Sequence, residues 1–380
     1  LINEVTKFCT LGKTVTHILS NRFNKRGKYA LLLEFSFGMQ SANSYGMSIR
    51  KILLLSASLS LFAGVCHAES LPFGIASAYN LVALGTVDAN GNTLIAGNIS
   101  TNADVTGRVA AANQITVGTT IGSSLNADPF GSAATFDFVS ANGLNSGEQF
   151  NLNSHGNAYA PGSNGNFNFN GGGHRVTTGS SGIDFNSLRT SLDAETVSLA
   201  ALTSTGSVLG TNQPGVNPSF FVLKGSDPTL NIFNITAAEF ADTNHPIDIQ
   251  APAGSTIIVN VAGTNVTLGT GLYYNQNQTS GDNAANANIL FNFASAQTVT
   301  IDGQFSASIL APFAILSGNS QMAGNFIAAQ IGHTGEVHNV EFTGTLPDGP
   351  SAVTPEPASL MLMGTGMLGF AAALRRRLSL

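Results

Sequence analysis

His333, Glu336 and His338 are the sequence's best candidate for a metal site. Glu336 and His338 stand two apart, so on a strand they share one face. His333 falls at an odd spacing from His338, and a further ligand would have to come from elsewhere, with His174 or His245 as the options. Structural and catalytic metal sites are built from complete ligand sets at recognisable spacings, and no complete set occurs here. The competing reading is that His338 and Asn339 satisfy backbone groups at the end of a strand-rich region. The expectation is no metal and no cofactor, with these three residues as the ones to inspect.

Catalysis finds no better footing. Hydrolysis needs an activated nucleophile or paired carboxylates in tuned surroundings. The acids here are scattered, and a Gly-x-Ser-x-Gly elbow is absent. A lyase acting on an acidic sugar would gather Arg, Lys, Tyr or His, yet only Arg108, Arg175, Arg189 and Lys224 lie between Glu69 and Glu356. No catalytic residue is expected. A calcium repeat of the Gly-Gly-x-Gly-x-Asp type does not occur. Ice binding would show as a long ladder of regularly spaced threonines; Thr264, Thr267, Thr298 and Thr300 alternate only locally. A polysaccharide-processing β-helix enzyme and an ice-binding protein remain the two alternatives to a binding or structural role.

Charge narrows the partners. Only 9% of the 380 residues are charged, against about 25% in ordinary domains. Nineteen of the 21 acids but only four of the 15 bases fall between Glu69 and Glu356, a formal charge of −15 over that stretch. Such a surface repels phosphate backbones, which excludes nucleic acid as a partner. Long coiled coils need far more Glu and Lys, and the 42 glycines lack the three-residue period of collagen.

The two ends read as addresses. Met47 opens a secretory signal: Arg50 and Lys51 form the basic region, Ile52 to Val65 the apolar run, and Cys66-His67-Ala68 a small-residue cleavage site before Glu69. Residues 1–46 then read as upstream sequence and 47–68 as signal peptide. Both cysteines, Cys9 and Cys66, precede that site, so disulfides add nothing to the exported part. At the other end, a linker at 348–354 leads into Pro355-Glu356-Pro357. An apolar run at 358–374 follows, then Arg375-Arg376-Arg377. Seventeen apolar or small residues reach about 25 Å as a helix, enough for a transmembrane span, and the arginines would stay cytoplasmic. This tail, assigned to 355–380, resembles the PEP-CTERM sorting signal. The resemblance implies a Gram-negative exported protein, tethered to the membrane before processing, whose Pro355, Glu356 and Pro357 are recognised by an exosortase-type enzyme. It further implies association with exopolysaccharide and biofilm.

Between the ends, short apolar runs are punctuated by Gly, Asn and Asp. They include Leu81 to Leu84, Thr93 to Ala96, Asp104 to Thr106, Gln114 to Val117, Ser255 to Val261, Asn265 to Leu268, Ile289 to Phe293, Thr298 to Ile301, Ser308 to Leu310, Ala314 to Leu316 and Asn325 to Ile327. Strands at roughly 8–12-residue spacing mean an all-β sandwich, barrel or solenoid. Small residues alternating with Val, Ile and Leu favour a β-solenoid (β-helix) of stacked narrow coils, although no strict period is present. One helix breaks the texture. From Ile183 through Thr203 there is no Gly or Pro, and Phe185, Leu188, Leu192, Leu199 and Leu202 share a face. Asp184 is placed to cap its start, and Gly206 lies past its end. Gly162 to Gly173 reads as a low-complexity loop.

The core also resembles the choice-of-anchor A family, an ice-binding-like adhesive domain. The residues that carry it are Ala78 to Gly85, Asp104 to Ala111, Ile289 to Ile301, Ile309-Leu310-Ala311-Pro312, Gly335 to Asn339 and Phe342 to Pro347. Ala112-Asn113 stands where Gly-Gly is expected, and 125–180 carries no matching motif. The resemblance implies a right-handed β-solenoid with a flanking helix over 69–347. It brings no catalytic residues and suggests a non-enzymatic cell-surface or matrix adhesin.

Overall fold

The computed structural model describes residues 71–125, 133–210, 217–242, 244–279 and 284–347. All of them fall within one compact unit, Ser70–Leu380. Twelve strands form the largest sheet. In chain order they are β1 (Leu81–Ala83), β2 (Val109–Ala111), β3 (Phe138–Ser140), β4 (Ala158–Tyr159), β5 (Arg175–Val176), β6 (Leu230–Thr236), β7 (Thr256–Ala262), β8 (Asn265–Leu268), β9 (Ile289–Asn292), β10 (Thr298–Ile301), β11 (Ser308–Gly318) and β12 (Phe326–Ile331).

Their order in space is β5-β4-β3-β2-β1-β12-β11-β9-β7-β6, with β10 beside β11 and β8 beside β10. Every ladder in this sheet is parallel. Parallel neighbours joined by long crossovers are the arrangement of a coil that returns to the same face once per turn. The order shows where the chain starts. It enters in the middle at β1 and winds out to β5, and beyond the helix it resumes at the opposite end with β6. It then winds back until β12 docks on β1, pairing Leu81 with Phe326, Val82 with Ile327 and Ala83 with Ala328.

Two further faces close each turn. One joins β10, β11 and β12 to single bridges at Ile99, Ile115 and Leu144. The other runs through Phe305–Ser306, Met322–Ala323 and Val337–His338 to Val105, then to Thr120–Ile121, Gln149–Leu152 and Asn166–Phe169. The fold is therefore mostly β and β-helix-like. The step between paired residues is irregular: 17 from Ile309 to Phe326, 18 from Leu290 to Ser308, 28 from Leu81 to Val109 and 32 from Ile257 to Ile289. Loops of varying length inserted at the corners explain why no sequence period exists.

The main sheet is buried on both faces, which is why its strands read as continuous apolar runs. Leu81, Ala83, Val109, Ala111, Ile257, Val259, Phe291 and Ile309 point into the coil. Val82, Ala110, Val139, Ile258, Leu290, Leu310 and Ile327 point outward into a second core. That second core is closed by helix α1 (Phe185–Ala200) through Leu188, Leu192 and Leu199. Asp184 caps α1 by accepting from the backbone N–H groups of Asn186 and Ser187 at 3.1 and 3.2 Å, as its position predicts. The helix ends at Ala200, earlier than Gly206, which instead packs against the Phe233 ring.

Two expectations need correction. A second helix, α2 (Ala237–Phe240), follows β6 with a Thr236–Glu239 capping box. The segment Gly162 to Gly173 is not simply a loop, because Asn166–Phe169 is a strand paired with Gln149–Leu152. Its Asn-Phe-Asn-Phe alternation is the two-residue period of a strand, and Phe167 packs 5.1 Å from Phe138 and 5.4 Å from Phe150 between ring centres. Among the described residues no helix is long and apolar enough to cross a membrane.

Candidate functional site: amide ladders along the coil

In-register parallel strands place equivalent side chains about 4.8 Å apart. That spacing lets an amide donate to one neighbour and accept from the next, as in stacked Asn and Gln ladders. Several such ladders run along this solenoid. Asn113 Nδ2 donates to Asn98 Oδ1 at 2.8 Å, and Asn142 Nδ2 donates to Asn113 Oδ1 at 3.0 Å. Asn168 donates to Asn151 at 2.9 Å and Asn170 to Asn153 at 2.7 Å. Gln278 donates to Gln304 at 3.0 Å, and Gln304 to Gln321 at 3.2 Å. Most of these amides are exposed or half-buried, so each ladder keeps donors and acceptors turned to solvent at regular intervals.

A further ladder runs inward from exposed Asn234 to buried Asn260 and Asn292. Asn260 Nδ2 donates to Asn234 Oδ1 and Asn292 Nδ2 to Asn260 Oδ1, both at 2.9 Å. The same amides reach α1: Asn260 donates to the Leu199 carbonyl at 2.8 Å and Asn292 to the Thr196 carbonyl at 2.9 Å. Asn234 donates to the Leu202 carbonyl at 3.1 Å. This ladder fastens the C-terminal part of the helix and the residue just past its end to β6, β7 and β9.

The histidines take a different place from a metal cluster. His338 Nε2 lies 2.5 Å from Gln321 Nε2 and so ends the glutamine ladder. Glu336 Oε1 is 3.7 Å from His338 Nε2, so the two share a face as expected. His333 is exposed, and its carbonyl accepts from Gly318 N–H. His245 pairs with Asp242 at 2.9 Å, and His174 sits on the turn of β5. His174 and His245 fall on other stretches of the coil than His333 and His338, and among the described residues no group of three or more His, Cys, Asp or Glu could hold a metal ion.

Sequence reading missed the ladders. Their partners are 15 to 32 residues apart, at offsets that change from turn to turn. It also missed the buried pair of Arg108 Nε with Asp137 Oδ1 at 2.6 Å, which joins β2 to β3. The cleavage position Ala68–Glu69, the motif residues Pro355, Glu356, Pro357, Arg375, Arg376 and Arg377, and the segments 1–46, 47–68 and 348–354 lie outside the described residues.

The described residues thus form a mostly β, β-helix-like fold with polar ladders along its turns. Residues 72–339 match the family model described as "Putative Ice-binding-like adhesive domain", and the chain belongs to that family. Residues 353–377 match the PEP-CTERM protein-sorting motif. No curated protein matches the chain. An adhesive-like domain followed by this motif marks an exported surface protein, and the motif implies processing by an exosortase-type system.

Proposed function

We propose that the protein is a non-enzymatic adhesin of a Gram-negative cell surface or matrix, active in exopolysaccharide and biofilm attachment. In this reading 47–68 is its signal peptide and 358–374 its transmembrane helix before processing. The coil would be right-handed, as parallel crossovers almost always are. The observation that carries the reading is the set of exposed amide ladders, which suit broad, repetitive hydrogen bonding to a polyhydroxylated surface.

The C-terminal strap adds support. Phe342 N–H donates to Asn325 Oδ1 at 2.6 Å, Thr343 N–H to the Ala287 carbonyl at 2.9 Å and Thr345 N–H to Thr256 Oγ1 at 3.0 Å. The chain thus leaves the domain from the turn of β7, heading toward the β6 end. The β5 turn is eight places away in the sheet, roughly 40 Å at the usual strand spacing. A C-terminal tether would hold that end outward.

The test compares a deletion strain with the same strain complemented by the full chain. Attachment to polysaccharide-coated surfaces should fall on deletion and return on complementation. Unchanged attachment, or turnover of purified exopolysaccharide by the protein, would overturn the reading.

A further inference from the structure

A cavity of about 360 Å³ opens beside the first turn of the coil, at the small end of the range for small-molecule sites. Val87 and Ile95 on a hairpin form one wall, Asn113 and Asn142 the second, and Asn186 and Arg189 of α1 the third. Each wall has its own structural cause.

The hairpin pairs Thr86–Val87 antiparallel with Thr93–Ile95 and belongs to no other sheet. It lengthens the first turn to 28 residues, where partners on β11 and β12 are only 15 to 17 residues apart. Its base is fixed by Gly85 and Gly97, at φ +68° and +80°; a Cβ on Gly97 would lie 2.6 Å from the Gly85 nitrogen. Coil closure does not need this insertion, yet it holds Val87 and Leu94 out in solvent, at 41% and 68% exposure. Large apolar side chains presented this way mark contact surfaces.

The second wall is the end of the Asn98–Asn113–Asn142 ladder. The third carries the one basic group that lines the cavity. Arg108 is ion-paired with Asp137. Arg175 is held by the carbonyls of Ala160, Gly162 and Gly165. Arg189 donates from Nε to the Leu84 carbonyl at 3.4 Å and from Nη2 to Asn186 Oδ1 at 3.0 Å. A guanidinium carries five N–H donors, so its fork keeps donors beyond these two bonds.

Charge selects the ligand. Asp193 lies one helical turn from Arg189 and interacts with it electrostatically. Asp88 is occupied by Asn90 and Asn92, and Asp184 by the helix start. The cation is thus locally balanced, while the stretch from Glu69 to Glu356 carries −15. A polyanion is disfavoured. A guanidinium fork, amides offering both donors and acceptors, and an apolar rim together fit vicinal hydroxyls on a ring with one C–H face.

We propose that this cavity binds a neutral pyranoside unit of a surface polysaccharide. The inference rests on the adhesive reading and names its ligand class. Arg189 and Asn142 take hydroxyls, and Val87 covers the ring's apolar face.

The experiment is saturation-transfer NMR on the full chain with the methyl glycosides of glucose, galactose and mannose, and with glucuronate. At least one neutral glycoside should receive saturation with a Kd in the millimolar range, on the order of 1–10 mM. Arg189→Ala and Asn142→Ala should each weaken it at least about tenfold. Arg189→Lys, which keeps charge but loses the fork, should weaken it as well. Circular dichroism of each variant reports folding separately, and the Asn142 variant does not alter α1. No transfer to any neutral glycoside, transfer to glucuronate alone, or transfer unchanged in folded variants would each overturn the proposal. Attachment that survives while no glycoside binds would remove this site and leave the adhesive reading standing. Attachment unaffected by deletion would remove the adhesive reading, whatever the NMR result.

Discussion

The turns before α1 and the turns after it stack in one sheet but are held differently. Strands β1 to β5 are two or three residues long, with Ala83, Ala111 and Ala158 among their inward residues. They are tied across by the Arg108–Asp137 pair. Strands β6 to β12 run from four to eleven residues. Their interior holds edge-to-face phenylalanines, with Phe291 5.5 Å from Phe240 and 5.1 Å from Phe305 between ring centres. Their outer face is fastened to the helix by the asparagine ladder. The later half thus combines long strands with a docked brace. The earlier half is a short-stranded, loop-rich extension with its own aromatic cluster of Phe138, Phe150, Phe167 and Phe169, and its last turn is closed by Arg175 over Phe167, 5.8 Å from its ring centre. A solenoid tolerates this division because each turn contacts only its neighbours.

The sharpest way to break the comparison is Phe291→Ala. Phe291 is fully buried, and its truncation should lower unfolding stability by about 3–5 kcal/mol, read by urea denaturation. Asn292→Ala comes next. It strands the Asn260 amide oxygen and the Thr196 hydroxyl and carbonyl in a buried site and should cost about 2–3 kcal/mol. Hydrogen exchange should then rise in α1 and β9 together. Phe167→Ala, at a half-exposed end, should cost only about 1–2 kcal/mol. Its lost exchange protection should stay within 149–176. A Phe167 effect as large as that of Phe291, or one that spreads into β6 to β9, would contradict the division.

The smallest effect concerns pH. Burial raises the carboxyl pKa values of Asp193 and Glu195 on α1. An acid whose folded pKa exceeds its unfolded value binds more protons folded than unfolded, so stability falls as pH rises through that interval. These two should therefore lower stability slightly from ~pH 4 toward neutrality. Backbone and side-chain hydrogen bonds lower the pKa values of Asp88, Asp184, Asp227 and Asp242. That contribution is present above their unfolded pKa and is lost as pH falls through the folded one. Glu195→Gln should flatten the limb above ~pH 4 and leave the acid limb intact, as followed by thermal melts.

Much of the strand content was legible because two-sided burial writes continuous apolar runs. β8 and β10 match the expected Asn265 to Leu268 and Thr298 to Ile301, and β1 and α1 lie within a residue or a few of their expected ends. Asn166–Phe169 was obscured by glycines on both sides, although Phe167 and Phe169 carry a strand's period. The turn order was unreadable because the decisive contact, Leu81 with Phe326, joins distant segments that share no motif. Glu336 and His338 could be placed on one face from spacing alone. The ladder that His338 terminates could not, since Gln321 reaches it only through a register set by the neighbouring turn.

The central claim is that the first described strand lies in the middle of the main sheet and that the last strand of that sheet closes on it there. Thr101 and Thr334 sit at that seam, fully buried with their hydroxyls 2.7 Å apart. No native cysteine lies beyond Cys66, so Thr101→Cys with Thr334→Cys leaves a single possible pair there. The account predicts an intramolecular disulfide under mild oxidation and a higher unfolding midpoint that reverts on reduction. Free thiols in the folded, oxidant-treated protein would contradict it.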